Sequence, residues 1–389
     1  MVISMSKKKS DTFRQHSFQV YKKELKQLAH YLSGYRRNDQ IKYIKAKNTL
    51  AQCFFIVCKI VFLIFCSKRN FKFGNHIGII NTKNHLIYKI QAGLTFDNCF
   101  STSVKYNRGF SNIPIQIKDA VRGFYWVYRI FLQCNKKNQK YMLVFMAEII
   151  ESHIVFQSLD RILLSQKVKS IYIFNDLKPI YLSIGRCFRN HGSKVNYCVH
   201  GFRRFGKHSS LKFDKVLLHG PFEKVNFRKP YDCFEYVEFQ VPPKKVIAPK
   251  NLLVAGNIFW SEEFVSRAIK FYIDQGFHVI YKPHPNSKSN LQDLKSKFSD
   301  RFEITNSYDV LQKVKYVVAS YSSIVFFSIL HGCKTTVLCD NELYKTDPLR
   351  IFENKLVVYK NKLGPLNLNL LHELSPEPRL YFGKINYLS

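Results

Sequence analysis

His278-Val-Ile-Tyr-Lys-Pro-His-Pro285 and, further along, Tyr316-Val-Val-Ala-Ser-Tyr-Ser-Ser323 decide how this chain reads. Each opens on a short apolar run and closes on a loop of rigid or small polar residues. Such runs, bounded by turn signals, read as buried strands. The two prolines of Lys282-Pro-His-Pro285 stiffen the first loop and fix where His284 points. The second loop opens a helix over Ile324 to Leu330, closed by Gly332. In parallel α/β sheets, ligands collect beyond the carboxyl ends of the strands. Lysine and histidine both donate to anionic oxygen. A helix start adds unsatisfied N–H groups, and Ser322 and Ser323 add hydroxyls. Taken singly, a rigid turn with a packed histidine or a plain serine N-cap accounts for either loop. Together, on successive strand ends of one α/β unit, they point to a phosphate-bearing ligand.

The same pattern extends outward. Asn251-Leu-Leu-Val-Ala255 reads as a strand, Gly256-Asn257 as a tight loop, and Ser261 to Asp274 as a helix. Glu262 and Glu263 occupy its first turn, as the helix dipole favours. Thr335 to Leu338 is a further strand. Upstream, Val241-Pro-Pro-Lys-Lys-Val-Ile-Ala-Pro-Lys250 reads as a linker. Before it stands another strand–helix–strand unit: Ser170 to Phe174, Ile180 to Asn190, and Val195 to Val199. The loops at its strand ends carry Asp176 and His200. Residues 71–165 hold shorter apolar runs, among them Ile77 to Ile80 and Tyr141 to Phe145. The expected fold is α/β with two Rossmann-like domains. A basic, partly apolar helical segment covers residues 1–70, a first α/β domain 71–245, and a second 246–389.

In the first segment, Phe18, Tyr21, Leu25, Leu28, Ala29 and Leu32 recur at helical spacing, with Lys22, Lys23 and Lys26 between them. A solvated face fits this pattern, and so does attraction to anionic lipid. The run Cys53 to Cys66 is apolar but interrupted by Lys59. It falls short of the roughly 20 residues a bilayer span needs. A buried element, an interfacial helix and a span remain as three readings. No secretory signal is expected from the polar, basic start.

The whole chain has 389 residues, 46% of them hydrophobic, and a formal charge of +34. It is long enough for two packed domains. The charge favours an anionic partner without choosing one. The basic residues are spread along the chain with no nucleic-acid-binding motif, so nucleic acid is not the expected partner. The ten cysteines form no C-x-x-C pair, which suits reduced, mostly buried thiols rather than a zinc ribbon or redox site.

The order strand–KPHP, then strand–SYSS–helix–LHGCKTTVL, resembles the donor half of bacterial capsule and surface-polysaccharide transferases with the GT-B fold. It is similar to sialyl- and Kdo-transferases that use CMP-sugars, and to CDP-glycerol or ribitol phosphotransferases. The resemblance covers residues 170–340. It implies a nucleotide-activated donor, CMP- or CDP-linked, and a glycan or lipid-linked acceptor. The donor would be held by Gly256, Asn257, Lys282, His284, Pro285, Ser320, Ser322 and Ser323. Cys198-Val-His-Gly-Phe-Arg-Arg-Phe-Gly206, with Asp214 soon after, resembles a loop that supplies the catalytic base. His200 is then the first candidate and Asp176 the second, with His284 assisting the departing phosphate. Three features depart from the pattern. The paired acidic-acidic-glycine motif of sialyltransferases is missing, Ser320 replaces an acidic residue, and Ser328 stands where Kdo transferases carry Glu. No D-x-D pair is present, and neither a metal nor another cofactor is expected. The resemblance also implies a cytoplasmic enzyme, peripheral on an anionic membrane. A polyol-phosphate transferase and an inactive scaffold of polysaccharide assembly are the alternatives.

Overall fold

The computed structural model describes residues 57–58, 60–61, 64, 72–81, 83–102, 111–133, 146–174, 179–199, 213–226, 233–242, 250–257, 260–284, 291–298, 300–320, 323–338, 352–360, 362–374, 382 and 385–387. The segment 1–48, the run 141–145, Asp176, His200, Pro285 and Ser322 lie outside them.

Two parallel sheets carry the fold. The first contains β1 (His76–Ile79), β2 (Asn98–Ser101), β3 (Ser111–Asn112), β4 (Ser170–Ile173), β5 (Lys194–Cys198), β6 (Lys215–Leu218) and β7 (Phe234–Tyr236), in the order β3-β2-β1-β4-β5-β6-β7. Its helices are α1 (Lys83–Gln91), α2 (Ile117–Gln133), α3 (Met146–Leu163) and α4 (Pro179–Asn190). After β8 (Phe239–Val241) the second sheet begins. It holds β9 (Asn251–Ala255), β10 (His278–Lys282), β11 (Phe302–Ile304), β12 (Tyr316–Ala319), β13 (Lys334–Leu338) and β14 (Val357–Lys360), ordered β11-β10-β9-β12-β13-β14. α5 (Glu262–Asp274), α6 (Leu291–Lys297), α7 (Ser323–Leu330) and α8 (Leu368–Glu373) accompany it. Finally β15 (Ile385–Tyr387) pairs in parallel with β8.

In each sheet the strand order reverses beside the first strand, between β1 and β4 and between β9 and β12. That is the doubly wound topology, with its ligand crevice at the reversal. The central strands of both sheets are buried on both faces, which accounts for their Val/Ile/Leu runs.

Several boundaries match the sequence reading to within a residue, including 251–255, 278–282 and 316–319. Two expectations need correction. β11 intervenes between β10 and β12, so their loops are not successive; both strands instead flank β9. Phe302-Glu-Ile304 is simply too short to show a period. The expected linker also starts too early, because Val241 closes β8 and is 3% exposed.

α7 is apolar on every face because every face is buried: Ile324 to Leu330 are all nearly inaccessible. One side lies against β12 and β13, and Phe326 reaches toward the first half of the chain. Its ring centre is 4.3 Å from that of His219, 5.1 Å from Phe239 and 4.8 Å from Phe382. Tyr88 and Phe174 extend the cluster into the first sheet. One apolar core therefore runs through both halves. Within it, His219 and Glu223 are each 1% exposed. Both carboxylate oxygens accept, one from the His219 backbone N–H and one from Nδ1, each at 2.7 Å.

A smaller core joins Ile60 to Ile115, Ala120, Val127, Ile149, Ile150 and Ile154. The described residues of the 53–66 run are helical. Ile60 takes the buried-element role, while Val57 and Val61 stay exposed. Among the described residues no helix is long and apolar enough to cross a membrane.

Phe326→Ala is expected to destabilise the protein by about 3–5 kcal/mol, the usual cost of truncating a fully buried phenylalanine. The exposed Phe124→Ala should shift stability by less than about 0.5 kcal/mol. Urea unfolding of the two variants checks this.

Candidate functional site

The register of the second sheet sets the geometry. Ala255 pairs with Lys282 on one side and with Ala319 on the other. Three strand ends therefore stop abreast, and the chain leaves them as Gly256-Asn257, Pro283-His284 and Ser320. These loops straddle the reversal between β9 and β12. Long-range pairing thus brings together the residues singled out in the sequence.

Gly256 sits at the point of closest approach. Its N–H donates to the Lys282 carbonyl at 2.8 Å. A Cβ at this position would lie 2.6 Å from the Tyr281 hydroxyl and 3.2 Å from the His284 backbone nitrogen. Asn257 and Ser320 are buried beside it. Lys282 is only 7% exposed, and its Nζ lies 4.4 Å from the centre of the Tyr308 ring. An ammonium over an aromatic face is attracted by the negative face of the ring quadrupole. His284 is half-buried. Burial pushes its imidazole pKa below the usual value, and the neighbouring Lys282 charge pushes it the same way.

The other expected residues fall out differently. Ser323 is the first residue of α7, with its backbone described and its side chain not. Ser328 is turned away from this edge. It donates to the Val325 carbonyl at 2.7 Å and lies 2.8 Å from the Thr335 hydroxyl, fully buried near the start of β13. Asp176 and His200 follow β4 and β5, which pair with Ile173 opposite Tyr197; both residues lie outside the described ones. Asp214 holds structure together, accepting from the Arg189 guanidinium and the Val195 N–H, both at 2.7 Å. Partial burial raises its pKa, but those two donors outweigh it and the net shift is down.

Sequence reading overlooked polar groups at the carboxyl edge of the first sheet. Asn81 follows β1; its side-chain oxygen accepts from the Thr102 N–H at 2.7 Å, and its amide donates to the Thr102 hydroxyl at 2.6 Å. His85 stacks on Phe174 with ring centres 5.2 Å apart. His219 directly follows β6. Its signal was present as a histidine after an apolar strand with Glu four residues on, but the pairing shows only in three dimensions.

One group has metal-ligand chemistry among the described residues. Asp160, Cys187 and His191 offer ligand atoms within 4.8 Å of one another. His191 Nε2 already pairs with Asp160 at 2.9 Å. Burial, then the Asp160 charge, holds the Cys187 thiol well above its usual pKa. His191 precedes β5, at the amino edge of the sheet and away from the ligand loops.

No family model matches the sequence, and no curated protein matches it. Among solved structures, MurG of Acinetobacter baumannii is similar at 12% identity, covering 80% of this chain and 96% of its own, with a TM-score of 0.47. A glycosyltransferase from Rickettsia africae is similar at 13% identity, with coverage of 78% and 88% and a TM-score of 0.43. The wall teichoic acid polymerase TagF is similar at 8% identity, with coverage of 86% and 90% and a TM-score of 0.41. At this identity no residue's role passes from them to this chain.

Gly256→Ala should force the β9 and β10 loops apart, costing about 1–3 kcal/mol as overpacking does. Adding Tyr281→Phe, which removes the nearest clashing atom, should return part of that loss. Thermal unfolding of the single and double variants tests the contact. Full stability in the single variant would refute it.

Proposed function

We propose that this chain is a glycosyltransferase of the two-domain GT-B kind, which binds a nucleotide-activated sugar at the carboxyl edge of the second sheet. The supporting observation is the alignment of three strand ends at the β9/β12 reversal, with Gly256, Asn257, Lys282, His284 and Ser320 in the loops beyond them. The reading takes the donor to be CMP- or CDP-linked and the acceptor to be a growing surface glycan or a lipid-linked one. The enzyme would work as a peripheral protein on the cytoplasmic face of an anionic membrane.

In this scheme an acceptor hydroxyl attacks the anomeric carbon of the donor sugar. The bond from that carbon to the phosphate oxygen breaks, and the nucleotide leaves with the electron pair. A base from the first domain, His200 or else Asp176, takes the hydroxyl proton. Lys282, His284, Ser322, Ser323 and the N–H groups opening α7 meet the charge that grows on the phosphate. Gly256 lets the backbone come close, and Asn257, Pro285 and Ser320 complete the donor loops. Charge neutralisation by these groups, with no D-x-D pair in the sequence, supports a metal-independent reaction. Turnover should therefore survive EDTA; loss of activity restored by a divalent cation would overturn that point.

The direct test is thermal stabilisation by CMP, CDP, UDP, GDP and ADP, measured on the native protein and on His284→Ala. A cytidine nucleotide at a hundredfold its Kd should add about 2.7 kcal/mol of stability, and most of that should vanish in the variant. A response to UDP or GDP alone would change the donor but keep the site. No response from folded protein to any nucleotide would favour a non-catalytic scaffold.

The shifted imidazole adds a pH signature. His284 is held toward its neutral form in the free protein. A bound phosphate favours the imidazolium, so binding raises the pKa and takes up a proton. Nucleotide affinity should therefore tighten as pH falls from 8 toward 6 and level off below the free-protein pKa. His284→Gln should flatten that dependence in isothermal titrations.

A further inference from the structure

α2 presents an unusual surface. Ile117, Val121, Phe124, Tyr125, Tyr128 and Leu132 are all exposed, with Ile117 66%, Val121 61% and Tyr128 60% accessible. A helix turns about 100° per residue, which gathers these six into one stripe about 100° wide. Lys118, Arg122 and Arg129 lie on one border of the stripe, all exposed. The guanidinium of Arg129 rests 5.9 Å from the centre of the Tyr125 ring. The opposite side of the helix is committed to the interior. Asp119 is buried and paired with Arg161 at 2.8 Å, and Ala120, Gly123 and Val127 pack inward. On the stripe's other border, Ala120 and Val127 share a core with Ile60, beside the exposed Val57 and Val61.

Core packing does not account for six exposed large apolar side chains on one face, because the core is served by the other face. Isolated exposed hydrophobics are ordinary, but a contiguous patch marks a contact surface. Charge narrows the partner. α2's only acidic residue, Asp119, is turned inward, and the cations bordering the stripe belong to a chain of net charge +34. An apolar stripe with tyrosines and a cationic border is the pattern of a helix lying in a membrane interface.

We propose that the α2 face docks on a bilayer surface that carries anionic lipid. The stripe enters the headgroup–acyl boundary while Lys118, Arg122 and Arg129 meet lipid phosphates. The helix lies flat and does not cross the bilayer. This docking rests on the peripheral-membrane part of the proposed function and names the face that carries it; because binding to lipid needs no donor or acceptor, its failure would leave the nucleotide-site reading standing.

Vesicle co-sedimentation of the full chain tests it, with phosphatidylcholine vesicles compared against vesicles that also contain phosphatidylglycerol. Binding should favour the anionic vesicles and weaken as salt rises. Arg122→Gln with Arg129→Gln should lower that binding by about fivefold for each cation removed. Val121→Ser with Tyr128→Ser should lower binding to both vesicle types by about tenfold. Both double variants should keep the native unfolding temperature, since the altered side chains face solvent. Unchanged vesicle binding in the variants would overturn the proposal. So would a marked fall in unfolding temperature, which would mean that another part of the chain packs on this face. An oligomer that dissociates in the Val121/Tyr128 variant without any loss of vesicle binding would assign the face to a second copy instead.

Discussion

The burial of Phe326 is the contact on which the rest of the arrangement leans. Its ring stands edge-on to His219, Phe239 and Phe382, an orientation that aromatic quadrupoles favour. His219 comes from the loop after β6, Phe239 from β8 and Phe382 from just before β15. One side chain therefore ties together the first sheet, the crossing between the halves and the returning end of the chain. Because α7 is rigid, fixing Phe326 also fixes the start of that helix, where the serine loop stands. The position of the second sheet's carboxyl edge relative to the first sheet is thus a packing result.

That junction contains a buried polar pair, and its chemistry explains why it can. A lone carboxylate removed from water would be strongly unfavourable. Glu223 avoids that by accepting from two groups of His219, one on each oxygen. Phe239 stacks parallel to the imidazole at 5.9 Å and leaves it little freedom to turn. Removing either side chain would take away the Nδ1–carboxylate contact inside an apolar core, the costly kind of loss for such pairs. A pair of this kind fixes one geometry between elements far apart in sequence.

The carboxyl edge of the second sheet and the α2 face differ in character. At the sheet edge Gly256, Asn257, Lys282 and Ser320 are buried, and Lys282 is set against Tyr308. The α2 face is broad, convex as any helix face is, and apolar with a cationic border. It suits a partner that is extended and yielding. Both lie in a chain whose large positive charge draws anions to its surface.

Much of the second half was legible from sequence. Strands 251–255 and 316–319 are dense in Leu and Val, and they end on Gly-Asn and on serine-rich loops. Local pattern and local structure agree there because parallel strands are buried on both faces. In the first half the unit Ser170–Phe174, Ile180–Asn190 and Val195–Val199 was read to within a residue. Residues 71–165 read poorly: β3 spans only two residues, and the apolar runs there are short and separated by polar stretches. α2 did not stand out, since an exposed apolar stripe and a buried one have the same spacing. Which residues would share one site was also only partly legible. Sequence marked His284, Lys282 and Ser320 as strand-end residues, but it placed β10 and β12 in succession and missed that β9 lies between them. It passed over His219 and Asn81, whose partners are brought in by folding. The sequence by itself determined the α/β class, the strand ends and the chemistry available at them, because hydrophobic period and turn residues act locally. Only the tertiary structure decided strand order, the alignment of Ala255 with Lys282 and Ala319, and which face of α2 meets water. Those depend on hydrogen bonds and packing between residues far apart in the chain, and no local pattern encodes them.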